Sequence, residues 1–336
     1  MASNGEHRHD PEEIAAAAAT SDELPVVLLN RLPQFNLSVF PSLKTRFRFL
    51  DPLDPSFSPS QAQSVRVLLC LGPSPVSSET LSRFPSLECV VGSTAGMDHV
   101  DLAECRRRGM RVSNAGDVFG DDAADYAVAL LIDVLRRVSA ADRYVRAGDW
   151  PVKGEYPLGS KVGGKRVGIV GLGNIGSKIA TRLEAFGCSI AYNSRTKKPH
   201  ISYPYYDRVK DLSANSDALI ICCALTNETH HMINKDVMTA LGKEGVIVNV
   251  GRGSLIDEKE LVRFLARGEL GGAGLDVFED EPVVPKELFE LDNVVLSPHR
   301  AVATPDSFGA LEETVAATIE AFLANKPLRA EMELWA

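Results

Sequence analysis

Residues 166–180 read RVGIVGLGNIGSKIA, and this stretch decides the fold. Arg166 to Val170 is a short apolar run of strand type. Gly171, Gly173 and Gly176 follow at G-x-G-x-x-G spacing, and from Ser177 to Phe186 the residues Ile179, Ala180 and Leu183 recur at helical period. Strand, tight turn and helix in that order make the phosphate-binding unit of a dinucleotide fold. The first glycine permits the turn, the second lets a pyrophosphate approach the backbone, and the third lets helix and strand pack closely. The helix start adds free N–H groups and a positive dipole end. Without its flanks the spacing would describe a glycine-rich turn of any α/β protein; here both flanks are present.

The next strand points to the dinucleotide's type. SIAYN, residues 189–193, ends about 20 residues past the glycines, where an acidic side chain would hold the adenosine ribose 2′-OH of NAD. This chain has Ser194, Arg195 and Thr196 there, followed by Lys197 and Lys198. Hydroxyls and a guanidinium accept a 2′-phosphate that a carboxylate would repel. The pattern favours NADP over NAD, a solvated basic turn being the plainer alternative.

At 336 residues the chain suits two domains rather than one core. A net charge of −9 argues against a nucleic-acid surface. The apolar run ALIICCAL, residues 218–225, is far short of the ~20 residues of a membrane span, so no membrane partner is expected. The six cysteines have no C-x-x-C spacing; they read as reduced, mostly buried thiols of a cytoplasmic protein, a plastid not being excluded, and no metal site is expected from them. Residues 1–22 read as a mobile tail.

Strand candidates at 25–30, 65–72, 87–92 and 110–115 alternate with helical stretches, giving a first parallel α/β domain. Its loop GSTAGMDHVD, residues 92–101, either presents backbone N–H groups to a small anion or simply connects strand to helix. Residues 121–147 read as one helix of roughly 40 Å, with Val128, Leu131, Ile132, Leu135 and Val138 on a stripe, able to cross between domains. A Gly/Pro-rich loop containing Trp150 follows. Six strands are then expected, at 166–170, 189–193, 218–223, 246–250, 272–276 and 294–297. The helical pattern from Thr304 to Asn325 most simply returns to the first domain. The expected architecture is therefore α/β, with two Rossmann-like or flavodoxin-like doubly wound parallel sheets and a cleft between them. Residues 23–120 and 302–336 would form a discontinuous substrate domain and 121–301 the dinucleotide domain.

Ligands bind beyond the carboxyl ends of strands in such sheets. Three late strands lead into loops carrying Arg252, then Asp276 and Glu281, then His299. Arginine clamps a carboxylate with two parallel hydrogen bonds, a carboxylate orients a histidine, and a histidine donates a proton. Each residue alone reads as ordinary loop chemistry; their coincidence beside the glycine motif is what points to handling of a carbonyl acid.

Taken in order, GSTAGMDHVD, SNAGDVFGDDAADYA, GKRVGIVGLGNIG, NVGRGSLIDEKEL, GGAGLDVFEDEP and VVLSPH resemble the D-isomer-specific 2-hydroxyacid dehydrogenases over nearly all of the chain from Pro25. Within that family the chain is most similar to plant glyoxylate/hydroxypyruvate and hydroxyphenylpyruvate reductases, whose YNSRTKK-like segment looks NADPH-directed. The resemblance implies that Arg252 binds substrate, that Glu281 pairs with the catalytic His, and that His299 is the acid/base. It places Leu172, Gly173, Asn174, Ile175, Ser194, Arg195, Thr196, Val250, Gly251 and Asp276 at the cofactor, and Ala95 and Gly96 at the substrate carboxylate. It also implies a homodimer in which Trp150 walls the neighbouring active site. The chain departs from the family at Ala224, where a proline is usual, which leaves the shape of that loop open. Two other functions stay open: a redox-sensing binding module on the same fold, and an NAD-linked dehydrogenase of another 2-hydroxy acid such as phosphoglycerate.

Overall fold

The computed structural model describes residues 24–334, so the tail expected at 1–22 lies outside the described residues. Two sheets, every pairing in them parallel, carry the chain. The first contains β1 (Val26–Arg31), β2 (Arg48–Leu50), β3 (Val67–Leu71), β4 (Cys89–Gly92) and β5 (Arg111–Ser113), in the order β2-β1-β3-β4-β5. The second contains β6 (Arg166–Val170), β7 (Ser189–Asn193), β8 (Ala218–Ile221), β9 (Val246–Asn249), β10 (Gly272–Leu275) and β11 (Val294–Leu296), in the order β11-β10-β9-β8-β6-β7. In each sheet the first strand is flanked on one side by the second and on the other by the third. That reversal opens a crevice at the carboxyl ends. The pairing of Val170 with Ile221 sets the glycine turn beside the loop that leaves β8.

Strands buried on both faces need no polar alternation. VLLCL of β3, ALII of β8 and VIVN of β9 are buried along their whole length. The expected strands all form, most of them one to three residues shorter than read. β2 was missed because RFL is a three-residue edge strand with no alternation to read.

The helix expected over 121–147 is two helices. Gly120–Arg136 ends at Arg137, which takes the left-handed region at φ 58, and Val138–Arg146 sets off in a new direction. The Asp133 carboxylate accepts the Ser139 N–H at 2.7 Å and so caps the restart. The first piece, about 25 Å long, lies over β9 and β10, with Leu130 and Val134 close on Gly274 and Gly272, and its Ala127 and Leu131 share one buried cluster with Val167, Ile169 and Val248. Val138, expected on the same apolar stripe, is 54 % exposed because the chain has turned.

The helix Pro305–Leu323 starts on a reciprocal cap between Thr304 and Ser307. It stops before Asn325, which is left-handed at φ 54. Its buried Leu311, Val315, Ile319 and Phe322 pack with Val27, Leu29 and Val91, so the last helix covers a face of the first sheet. Met332 N–H then bonds Val112 C=O at 2.8 Å. Where the two crossings between sheets meet, Thr304 Oγ1 donates to Asp122 at 2.6 Å. No helix among the described residues is long and apolar enough to cross a membrane.

Candidate active site

The glycine turn divides its work as its sequence indicates. Gly171 has φ +101, and a Cβ there would meet Cys223 at 2.7 Å; a Cβ at Gly176 would run into the Gly171 carbonyl oxygen. At Gly173 nothing lies within 4 Å of where a Cβ would stand. That opening is where a phosphate can reach the backbone at the start of the helix Asn174–Ala185, whose N-cap is Gly173. Exposed Asn174 faces Gly120 at the domain crossing, and half-buried Ile175 packs against the core beneath.

Beside the turn is a cavity of about 740 Å³ lined by Gly171, Leu172, Gly173, Ser194, Arg195 and Thr196, with Lys198 and Lys210. Ser194 Oγ donates to the Thr196 carbonyl at 2.7 Å, tightening the turn. Arg195 is exposed, and no described residue forms an ion pair with it. Asp207 and Glu228 also line the cavity, so its charge is mixed and the cations are local to the turn. The opening at Gly173, the helix start and this basic turn fit a dinucleotide carrying an extra phosphate. Lys210 was not anticipated, because it enters from a separate helix 16 residues beyond Ser194.

The catalytic candidates meet outside that lining. His299 Nδ1 and Glu281 Oε2 are 2.8 Å apart. Burial pushes the Glu281 carboxyl up, but the hydrogen bond and charge of His299, the Phe278 N–H and the charge of Arg252 together hold it below the ordinary carboxylate range. His299 itself sits in the left-handed region at φ 52, with its N–H bonded to the Asp276 carbonyl at 2.7 Å. The Asp276 carboxylate is fully buried and accepts Ser297 Oγ at 2.7 Å and the N–H groups of Arg300 and Ala301 at 2.8 Å each. Its partners in the structure are therefore the donors of the histidine loop.

Val250 and Gly251 are buried at the end of β9, where Asn249 Oδ1 accepts the Gly251 N–H at 3.0 Å. This turn delivers Arg252 to the loop 92–101 of the other domain. Arg252 Nε bonds Asp98 Oδ1 at 3.1 Å and Oδ2 at 3.3 Å, and its Nη1 bonds the Gly251 carbonyl at 2.9 Å. A Cβ on Gly96 would overlap Arg252 Nη2. No described residue accepts from the N–H of Ala95 or Gly96, while the Ala95 carbonyl accepts Asn114 Nδ2 at 2.9 Å. Loops from both sheets thus meet at the Arg252 guanidinium. Asp98 was overlooked in the sequence because its partner lies 154 residues away. Burial pushes the neighbouring His99 imidazole down, Asp98 opposes this and Arg252 adds to it.

Trp150 begins the one-turn helix Trp150–Lys153, rather than lying in a loop, and is 64 % exposed. Within its own chain it makes no hydrogen bond or ring contact with Arg252, Glu281 or His299.

Residues 128–301 match the family described as "D-isomer specific 2-hydroxyacid dehydrogenase, NAD binding domain". A glyoxylate/hydroxypyruvate reductase of Arabidopsis thaliana is 54 % identical over 323 residues, which cover 94 % of this chain and 99 % of that protein. A hydroxyphenylpyruvate reductase of Plectranthus scutellarioides is 47 % identical, over 84 % of this chain and 90 % of its own length. Among solved structures, the NADPH-dependent glyoxylate/hydroxypyruvate reductase of Sinorhizobium meliloti, in complex with NADP and malonate, superposes with a TM-score of 0.85 at 35 % identity, covering 92 % of this chain and 97 % of that one. With its sheets, glycine turn and loop residues in that register, the chain belongs to the D-isomer-specific 2-hydroxyacid dehydrogenase family.

Proposed function

We propose that the protein is an NADPH-dependent reductase of small 2-oxo acids, hydroxypyruvate and glyoxylate first, yielding D-2-hydroxy acids. The observation that carries this reading is the meeting of Arg252, Gly96 and Asp98 across the domains, with the 2.8 Å His299–Glu281 pair on the neighbouring loops. Bound NADPH would supply the hydride for C2 of the oxo acid. Arg252 Nη2 and the free N–H groups of Ala95 and Gly96 take the substrate carboxylate, which fixes the carbonyl for attack. Glu281 orients His299 through Nδ1, leaving Nε2 to give its proton to the developing alkoxide. Ser194, Arg195 and Thr196 hold the 2′-phosphate of the coenzyme, while Gly171 to Gly176 hold the pyrophosphate, and Leu172, Val250 and Gly251 shape the cofactor's surroundings. In this reading the domain boundaries fall near residues 120 and 301, and closure about them excludes water.

The working unit is proposed to be a homodimer. Val138, Val145, Trp150, Val152 and Leu158 expose apolar side chains within one stretch of chain, and Leu158 is 95 % exposed. A second copy covering this stretch would bring Trp150 toward the neighbouring site. Six free cysteines suit a reducing compartment such as the cytosol.

The test is NADPH oxidation with hydroxypyruvate, glyoxylate and hydroxyphenylpyruvate, alongside NADH, in wild type and Ser194→Asp. Hydroxypyruvate should turn over with NADPH in wild type. The variant should lose NADPH affinity by charge repulsion and improve NADH in relative terms. Equal use of both coenzymes by the wild type would sink the coenzyme assignment, and no turnover of any 2-oxo acid would sink the activity.

A further inference from the structure

We propose that His230, His231 and Glu279 form a site for a divalent transition-metal ion of the zinc type, separate from the machinery of hydride transfer. The turn Thr226–Thr229 lines the cofactor cavity, and the chain leaves it through two consecutive histidines. Consecutive side chains of an extended strand point to opposite sides. Here His231 takes the left-handed region at φ 51, and the two imidazoles stack with centroids 3.9 Å apart and planes at 26°. A non-glycine residue seldom holds that region, and such outliers gather at functional sites.

His231 Nε2 and Glu279 Oε1 are 2.6 Å apart. One ligand atom from each of the three residues lies within 4.8 Å of the others. Donor atoms sharing a tetrahedral zinc sit about 3.3 Å apart. Closing the triangle therefore requires rotation of exposed His230, which carries no backbone with it, and opening of the His231–Glu279 pair by about 0.7 Å as the ion displaces the proton they share. Two of the three members are already anchored: the His231 N–H donates to the Ser254 carbonyl at 2.8 Å, and the Glu279 N–H donates to Glu258 Oε2 at 3.1 Å. Two imidazoles and one carboxylate select zinc-like ions over magnesium or calcium, which prefer all-oxygen sites, and leave a position open to water. The expectation of no metal rested on the cysteines, beside which no His or second Cys pair has finger-like spacing. Glu279 reaches the histidines from 48 residues away, across a strand order that the spacing does not encode.

The test is calorimetric titration of the purified full chain with Zn²⁺ alone, without substrate or coenzyme, in wild type, His230→Ala, Glu279→Gln and a His7→Ala/His9→Ala variant. The last covers histidines outside the described residues. One equivalent should bind saturably to wild type and to the tail variant. Affinity should fall at least about tenfold in His230→Ala and in Glu279→Gln, since loss even of a group that merely orients a metal ligand costs that much. His230→Ala removes an exposed side chain and preserves the fold, so it remains decisive should Glu279→Gln unfold. Absence of saturable binding, unchanged affinity in His230→Ala, or loss of binding in the tail variant would overturn the site and leave the 2.6 Å pair as a structural brace.

Discussion

At the scale of single residues, Arg252 is held by a carboxylate of the loop 92–101, so in the proposed reaction Asp98 sets how well it can serve an oxo acid. With Nε on Asp98 and Nη1 on Gly251, the guanidinium plane is fixed and Nη2 is left over Gly96. Asp98→Ala frees the plane, and misplacement by about 1 Å costs on the order of 10²-fold. kcat/KM for hydroxypyruvate should fall about 10- to 100-fold, Asp98→Asn should recover part of it, and NADPH affinity should stay; an Asp98→Ala enzyme equal to wild type would remove Asp98 from the positioning of Arg252. Glu281 gives a pH dependence with a definite sign. Its folded-state carboxyl lies below the ordinary value, so its contribution to stability is present above the unfolded value of about 4.3 and is lost as pH falls through the lower, folded one. The urea midpoint of wild type should exceed that of Glu281→Gln at pH 6, and the gap should close as pH drops below about 4; a gap independent of pH would contradict the pairing. Arg252, Glu281 and His299 were legible because each follows an apolar strand at its carboxyl end. Asp98, Lys210 and Glu279 were not, because an isolated charge carries no period and its neighbours in space are chosen by strand order.

At the scale of elements, the glycine turn separates two properties that one motif combines. A methyl at Gly176 meets the Gly171 carbonyl, which is backbone and cannot swing aside. Gly176→Ala should therefore destabilise the protein by about 1–3 kcal/mol and weaken NADPH as well. Gly173→Ala meets nothing in the free protein, so it should melt like wild type yet bind NADPH poorly, because the methyl occupies the pyrophosphate's approach. Melting curves and coenzyme titrations of the two variants separate these outcomes, and tight NADPH binding by Gly173→Ala would show that the phosphates lie elsewhere. Strands and helices with strong apolar period were readable along the chain. The break at Arg137 was not: the apolar stripe runs on through Val138, and the stop is imposed by a left-handed backbone and the Asp133 cap. β2 escaped for the opposite reason, being too short to show any period.

At the scale of the whole molecule, the first sheet relies on a helix from the far end of the chain. Leu311, Val315, Ile319 and Phe322 complete the apolar layer over Val27, Leu29 and Val91, and about 190 residues separate β5 from that helix. Domains tend to fold as units, the amino-terminal one first, while the chain is still being made. Here the order of synthesis and the order of completion are reversed. β1 to β5 leave the ribosome early with that face covered only in part, by Leu37, Phe40, Leu43 and Phe47, while β6 to β11, contiguous in sequence, have their strands and crossing helix to hand. Chains stalled after Ala301 should be cut by protease within residues 24–118, and full-length chains should resist there; protection of that region in the stalled chains would show that the first sheet closes without its last helix. The helix Pro305–Leu323 would thus act as a seal added only after both sheets have been made, and a nascent chain interrupted before it would hold its first sheet unfinished.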